Sequence, residues 1–177
     1  MDIMERIDHI REKAMLKGIK LKPIISRPEL EALERKYGIL LPEEYSSFLL
    51  AAGNGGDGPP YYGLLDLQAA VIKTGIFNTQ NIILLDKPFP LTDPWVWEGE
   101  KLTPERLERQ REVYQGFLVL GDEGCSMYWV LIVTGEERGR VWCFADVGVQ
   151  PCAPGLSFLD WYEYWLDGGR DWWRLTV

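Results

Sequence analysis

Residues 26–67 read SRPELEALERKYGILLPEEYSSFLLAAGNGGDGPPYYGLLDL. Two short helices are written there with their start and stop signals, and a glycine-rich turn follows. Ser26 caps the first helix, and Glu29 three residues on completes a capping-box pattern. Pro28 sits in the first turn, where its missing N–H costs nothing. Leu30, Leu33 and Tyr37 share one face, and Gly38 stops the helix as a residue free to adopt positive φ. Pro42 opens the second helix, with Tyr45, Phe48, Leu49 and Ala52 as its buried stripe and Glu43 and Glu44 near its positive end. Gly53, Asn54, Gly55 and Gly56 end it. Gly58, Pro59 and Pro60 then turn the chain towards a strand expected over 61–67.

Outward from this stretch the periodicities continue. Ile3, Ile7, Ile10 and Ala14 predict a helix over 2–17, ended by Gly18. A short β-branched run predicts a strand over 81–85. Residues 86–100, DKPFPLTDPWVWEGE, hold three prolines, which preclude a regular helix or a central strand. This segment is expected to be a surface excursion carrying Phe89, Trp95 and Trp97. Thr103 and Pro104 open a charged helix over 104–115. Strands are predicted at 117–120, 126–133 and 140–145, joined by turns at 121–124 and 134–139. Two short connections between three strands imply an antiparallel meander. A Pro/Gly loop is expected over 150–155. Ser157 and Asp160 then cap a last helix with Phe158, Tyr162, Trp165 and Leu166 inside, leaving Trp161 and Tyr164 partly off that face. The adjacent Trp172 and Trp173 of the tail are expected to pack onto the domain. The sum is an α+β fold over 1–177, a single domain whose mainly antiparallel sheet is flanked by N-terminal helices and a C-terminal helix. Tyr45, Phe48, Leu49, Trp129, Leu131, Val141, Phe158 and Trp165 are expected to be buried together.

This order of parts resembles the SUKH superfamily, the group around the yeast glucan-synthesis regulator and common among bacterial immunity proteins. The residues that carry the resemblance are Tyr37-Gly38, Leu41-Pro42-Glu43-Glu44-Tyr45, Phe48-Leu49, the glycines from 53 to 56 and Tyr62-Gly63-Leu64. It continues in 117–124 with the apolar strand after it, in Gly139-Arg140-Val141-Trp142 and in Ser157-Phe158. The segment 73–115 has no counterpart in the shortest version of the pattern and reads as an insertion. The resemblance implies a non-catalytic module that neutralises a polymorphic toxin, often a nuclease or deaminase, by binding and blocking it. The yeast branch implies an alternative, a regulatory scaffold in cell-wall synthesis signalling. Long disordered flanks, which such a hub would use, are not expected from this sequence.

Composition narrows the choice. A chain of 177 residues is long enough to bury roughly 70% of its unfolded surface. Lys and Arg number 19 against 27 Asp and Glu, a formal charge of −8, which argues against nucleic acid and suits a basic protein partner. Aromatic residues make up 12% of the chain, with eight Trp, the material of cores and interfaces. The charged N-terminus has neither a signal-peptide pattern nor a membrane-spanning run, so a cytoplasmic protein is expected.

Little here points to chemistry. The single His is His9, which leaves no His-rich metal site. Cys125, Cys143 and Cys152 have no ligand spacing, and Cys125 and Cys143 are expected to be small buried hydrophobes. No metal and no cofactor are expected. The glycines of 53–58 follow a helix and precede no Lys-Ser/Thr, which is the wrong order for a phosphate loop. Asp57, Asp66, Asp122, Glu123 and Asp146 lie at turns or strand ends, and a hydrolytic site built from two of them is the remaining enzyme reading. The expected partner surface joins acids to aromatics on loops: Asp57, Tyr61, Trp95, Trp97, Asp122 and Glu123, facing a basic toxin domain.

Overall fold

The computed structural model describes residues 1–78, 80–152 and 155–170. Helix α1 (Ile3–Leu16) is capped by Asp2, which exchanges hydrogen bonds with Glu5 and turns Ile7, Ile10 and Ala14 inward. Helix α2 (Arg27–Tyr37) has the Ser26/Glu29 capping box and ends at Gly38, at φ +66°. Helix α3 (Glu43–Ala51) buries Tyr45, Phe48 and Leu49. Helix α6 (Phe158–Leu166) starts from the Ser157/Asp160 box.

Between them lies one antiparallel sheet. Its strands are β1 (Trp95–Val96), β2 (Phe117–Gly124), β3 (Met127–Ile132), β4 (Val141–Ala145) and β5 (Gly148–Pro151), in the order β1-β5-β4-β3-β2. The α+β class with a mainly antiparallel sheet holds, and 117–145 is the meander its short turns imply.

Both faces of the sheet are covered, which explains why its strands read as continuous apolar runs. Alternation along each strand splits them. Leu118 pairs with Leu131, and Leu131 with Val141, on the face that packs with α1, α2, α3 and α6. Val119 pairs with Val130, and Val130 with Trp142, on the opposite face. That second face packs against Phe89, Trp95, Trp97 and Val113, so the segment set apart in the sequence, 73–115, supplies its cover. Helix α5 (Pro104–Val113) brings Val113. Phe77 is edge-on to Phe117, Tyr128 and Phe144, with centroids 5.3 to 5.7 Å away.

Several sequence expectations are corrected here. Residues 61–67 form no strand: Tyr62 N and Leu65 N each donate one bond to β2, at Asp122 O and Leu120 O, and Asp66 then caps helix α4 (Leu67–Thr74). Thr74 Oγ1 accepts from Val119 N at 3.0 Å, so α4 and the segment before it cover the outer edge of β2. Residues 81–85 form no strand either, although Leu85 is buried. Residues 121–124 lie inside β2, which keeps pairing through two register shifts, and the turn falls at Cys125 and Ser126. Cys125 is therefore exposed, while Cys143 and Cys152 are buried and their thiols are pushed up to about 12 by that burial. The expected loop over 150–155 begins as β5. In α6 the buried indole is Trp161, not Trp165, which lies half-buried against Tyr162 at 5.5 Å. The Trp172 and Trp173 tail lies outside the described residues.

Candidate functional site

The glycines that end α3 let the chain fold tightly back on itself. Gly56 and Leu64 exchange backbone bonds of 2.9 and 2.8 Å. Gly56 sits at φ +118°, and a Cβ there would stand 2.4 Å from Lys20 O, so only glycine fits. The next residue is tied twice: Asp57 N donates to Lys20 O, and Lys20 N donates to Asp57 Oδ2, each at 2.8 Å. From below, the Tyr162 hydroxyl donates to Asp57 O at 2.9 Å. Gly63 N closes the turn onto Pro60 O.

The far side of this loop rests on β2. Gly121 approaches so closely that a Cβ would lie 2.4 Å from Pro60 Cδ. One oxygen of Glu123, Oε2, accepts both Tyr61 N at 3.3 Å and the Trp129 indole N–H at 2.8 Å. This one carboxylate thus adds to the Tyr62 N–Asp122 O backbone bond in joining loop and sheet. Held in this way, Tyr61 and Tyr62 remain 79% and 70% exposed and meet edge to face at 5.0 Å.

The two tyrosines stand over a groove of about 540 Å³ whose lining includes Asp57, Glu123, Trp165 and Arg170. Arg170 donates to Trp165 O and Gly169 O, with its guanidinium 5.6 Å from the Trp165 ring centre.

Of the six residues singled out in the sequence, Asp57, Tyr61 and Glu123 meet in this groove. Asp122 does not line it: its backbone O accepts Tyr62 N, and its carboxylate accepts Gly124 N and lies 3.7 Å from Lys73 Nζ. Trp95 and Trp97 are elsewhere. They are 7% and 3% exposed, packed against the second face of the sheet. The expectation of exposed indoles on an excursion is corrected. The prolines do keep 86–94 irregular, but β1 then pairs with β5, and both indole N–H groups are satisfied, by Glu100 Oε1 and Asp146 O. Tyr62, Trp165 and Arg170 were not singled out. The signal for Tyr62 was present, as a second aromatic directly after two prolines. Trp165 and Arg170 reach the groove only through the docking of α6.

His9 is exposed on α1, and among the described residues no three His, Cys, Asp or Glu side chains gather as a metal site. No helix among them is long and apolar enough to cross a membrane.

A family model described as the SMI1 / KNR4 family (SUKH-1) matches residues 24–164, from the approach to α2 into α6. The chain belongs to the SMI1 / KNR4 family. The groove loop and Glu123 lie within the matched span. No curated protein and no solved structure matches the chain.

Proposed function

We propose that this SUKH-1 chain is a non-catalytic protein-binding module of the immunity type, which neutralises a polymorphic toxin by binding it directly in the cytoplasm. The observation that carries this reading is the pair of tyrosines displayed beside a groove on a firmly tied loop. Large apolar side chains left in water mark interaction surfaces, and Tyr is among the residues that dominate interface energies. A loop already held by backbone bonds loses little conformational entropy on binding. The formal charge of −8 speeds the approach of a basic toxin domain.

The test is growth protection in cells co-expressing this chain with a basic polymorphic-toxin domain. Replacing Tyr61 and Tyr62 together by alanine is expected to weaken binding by about 2–4 kcal/mol and abolish protection. Both side chains project into solvent, so folding stability should change by about 0.5 kcal/mol or less. Full protection by the double variant would refute the groove as the binding surface.

A further inference from the structure

We infer that the groove receives an arginine side chain of the protein partner, its guanidinium lying against the Tyr61 and Tyr62 rings and paired with the carboxylates of Asp57 and Glu123. This rests on the protein-binding reading above and names the chemistry of the contact.

The hydrogen-bond pattern of the two acids carries the inference. Asp57 uses Oδ2 to accept Lys20 N, and Glu123 uses Oε2 to accept Tyr61 N and the Trp129 indole. Among the described residues neither Asp57 Oδ1 nor Glu123 Oε1 accepts a hydrogen bond. Each acid is therefore fixed in place by one oxygen and offers the other. The lining cation, Arg170, forms no ion pair with them among the described residues and is held by the carbonyls of Trp165 and Gly169. Two open carboxylate oxygens and two exposed phenol rings remain in one groove. A planar guanidinium satisfies both at once: it donates in several directions within its plane and stacks through its faces. This chain already uses that contact elsewhere, with the Arg109 guanidinium 4.0 Å from the Trp95 ring centre. An ammonium would satisfy the carboxylates but match the rings less well.

The probe is N-acetyl-arginine amide, titrated into the ¹⁵N-labelled full chain, with N-acetyl-norleucine amide as an uncharged control. Saturable shifts are expected at the amides of Tyr61, Tyr62 and Gly63 and at the Trp129 indole N–H, which reports on Glu123. The norleucine probe should leave these signals in place, and added salt should weaken the response. Glu123→Gln keeps the oxygen that Trp129 and Tyr61 N use, so the fold is retained, and it should weaken the arginine probe about tenfold. Asp57→Asn, which keeps the acceptor for Lys20 N, should do the same and serves if the first variant misfolds. Equal shifts with both probes, shifts scattered over the acidic surface, or no saturable shift would each overturn the proposal. A response that appears only when the chain ends at Arg170 would assign the groove to residues 171–177 and also overturn it. Should the arginine probe fail while the tyrosine double variant still loses protection, the cation falls and the binding reading stands. Should the probe bind while that variant still protects, the pocket chemistry stands and the binding reading falls.

Discussion

Trp95→Ala is expected to lower folding stability by about 3–5 kcal/mol while leaving partner affinity unchanged. Trp95 is a closing piece of the second core. Its ring lies edge to face on Trp97 at 5.1 Å, carries the Arg109 guanidinium on one side and donates from Nε1 to Glu100 at 3.0 Å. Truncation removes the ring, frees Arg109 and opens the cluster around Trp97, Phe89 and Trp142 to water. The position is at the sheet edge, where neighbours can relax, so the lower end of that range is expected. Urea titration should show a lower midpoint at unchanged slope. An intact midpoint with weakened binding of the proposed partner would restore the exposed-anchor reading that the sequence suggested.

Arg6→Met is the second large effect. The Arg6 side chain is 17% exposed and ties α1 to α3 and α6 by pairing with Glu44 at 3.3 Å, Asp160 at 2.7 Å and Glu163. Methionine keeps the stem but strands three carboxylates in one place. Breaking a buried pair in this way costs about 3–5 kcal/mol; Asp160 is 44% exposed and water screens it, so about 2–3 kcal/mol is expected at pH 7. The loss depends on pH in a definite sense. Burial works to raise the Asp160 carboxyl, but hydrogen bonds from Ser157 and Arg6 override it and hold it below the ordinary aspartate range. A depressed folded-state pKa gives stability that is full above the unfolded value and is lost as pH falls through the folded one. The gap between wild type and Arg6→Met should therefore be widest near neutrality and close as the pH drops below about 4. A gap that stays constant down to pH 2 would contradict the ion-pair account and leave only lost packing.

The elements that the sequence announced are those with local signals. Ser26 with Glu29 and Ser157 with Asp160 fix helix starts through bonds three residues apart, Gly38 ends α2 through its positive φ, and all appear as expected. The meander was legible because its turns are short. What covers the second face of the sheet was not. The run from Tyr128 to Val133 is apolar on both sides, which requires two covers without naming them, and a proline-rich composition marks irregular backbone without saying where its indoles point. Trp161 and Trp165 were exchanged because the docking of α6 on α3 and β3, not periodicity alone, selects the innermost side chain. At the candidate site the loop was legible through its glycines and prolines. Its union with β2 was not, because Glu123 and Tyr61 are 62 residues apart along the chain.

Hydrogen exchange of this chain, alone and mixed with a basic toxin domain of the proposed kind, locates the contact. Slowed exchange is expected on binding at residues 56–63 and 122–129, the two segments that Glu123 joins, and no change over 89–100. Protection confined to 89–113, with 56–63 exchanging as freely as in the isolated chain, would place the contact on the other side of the sheet and contradict it.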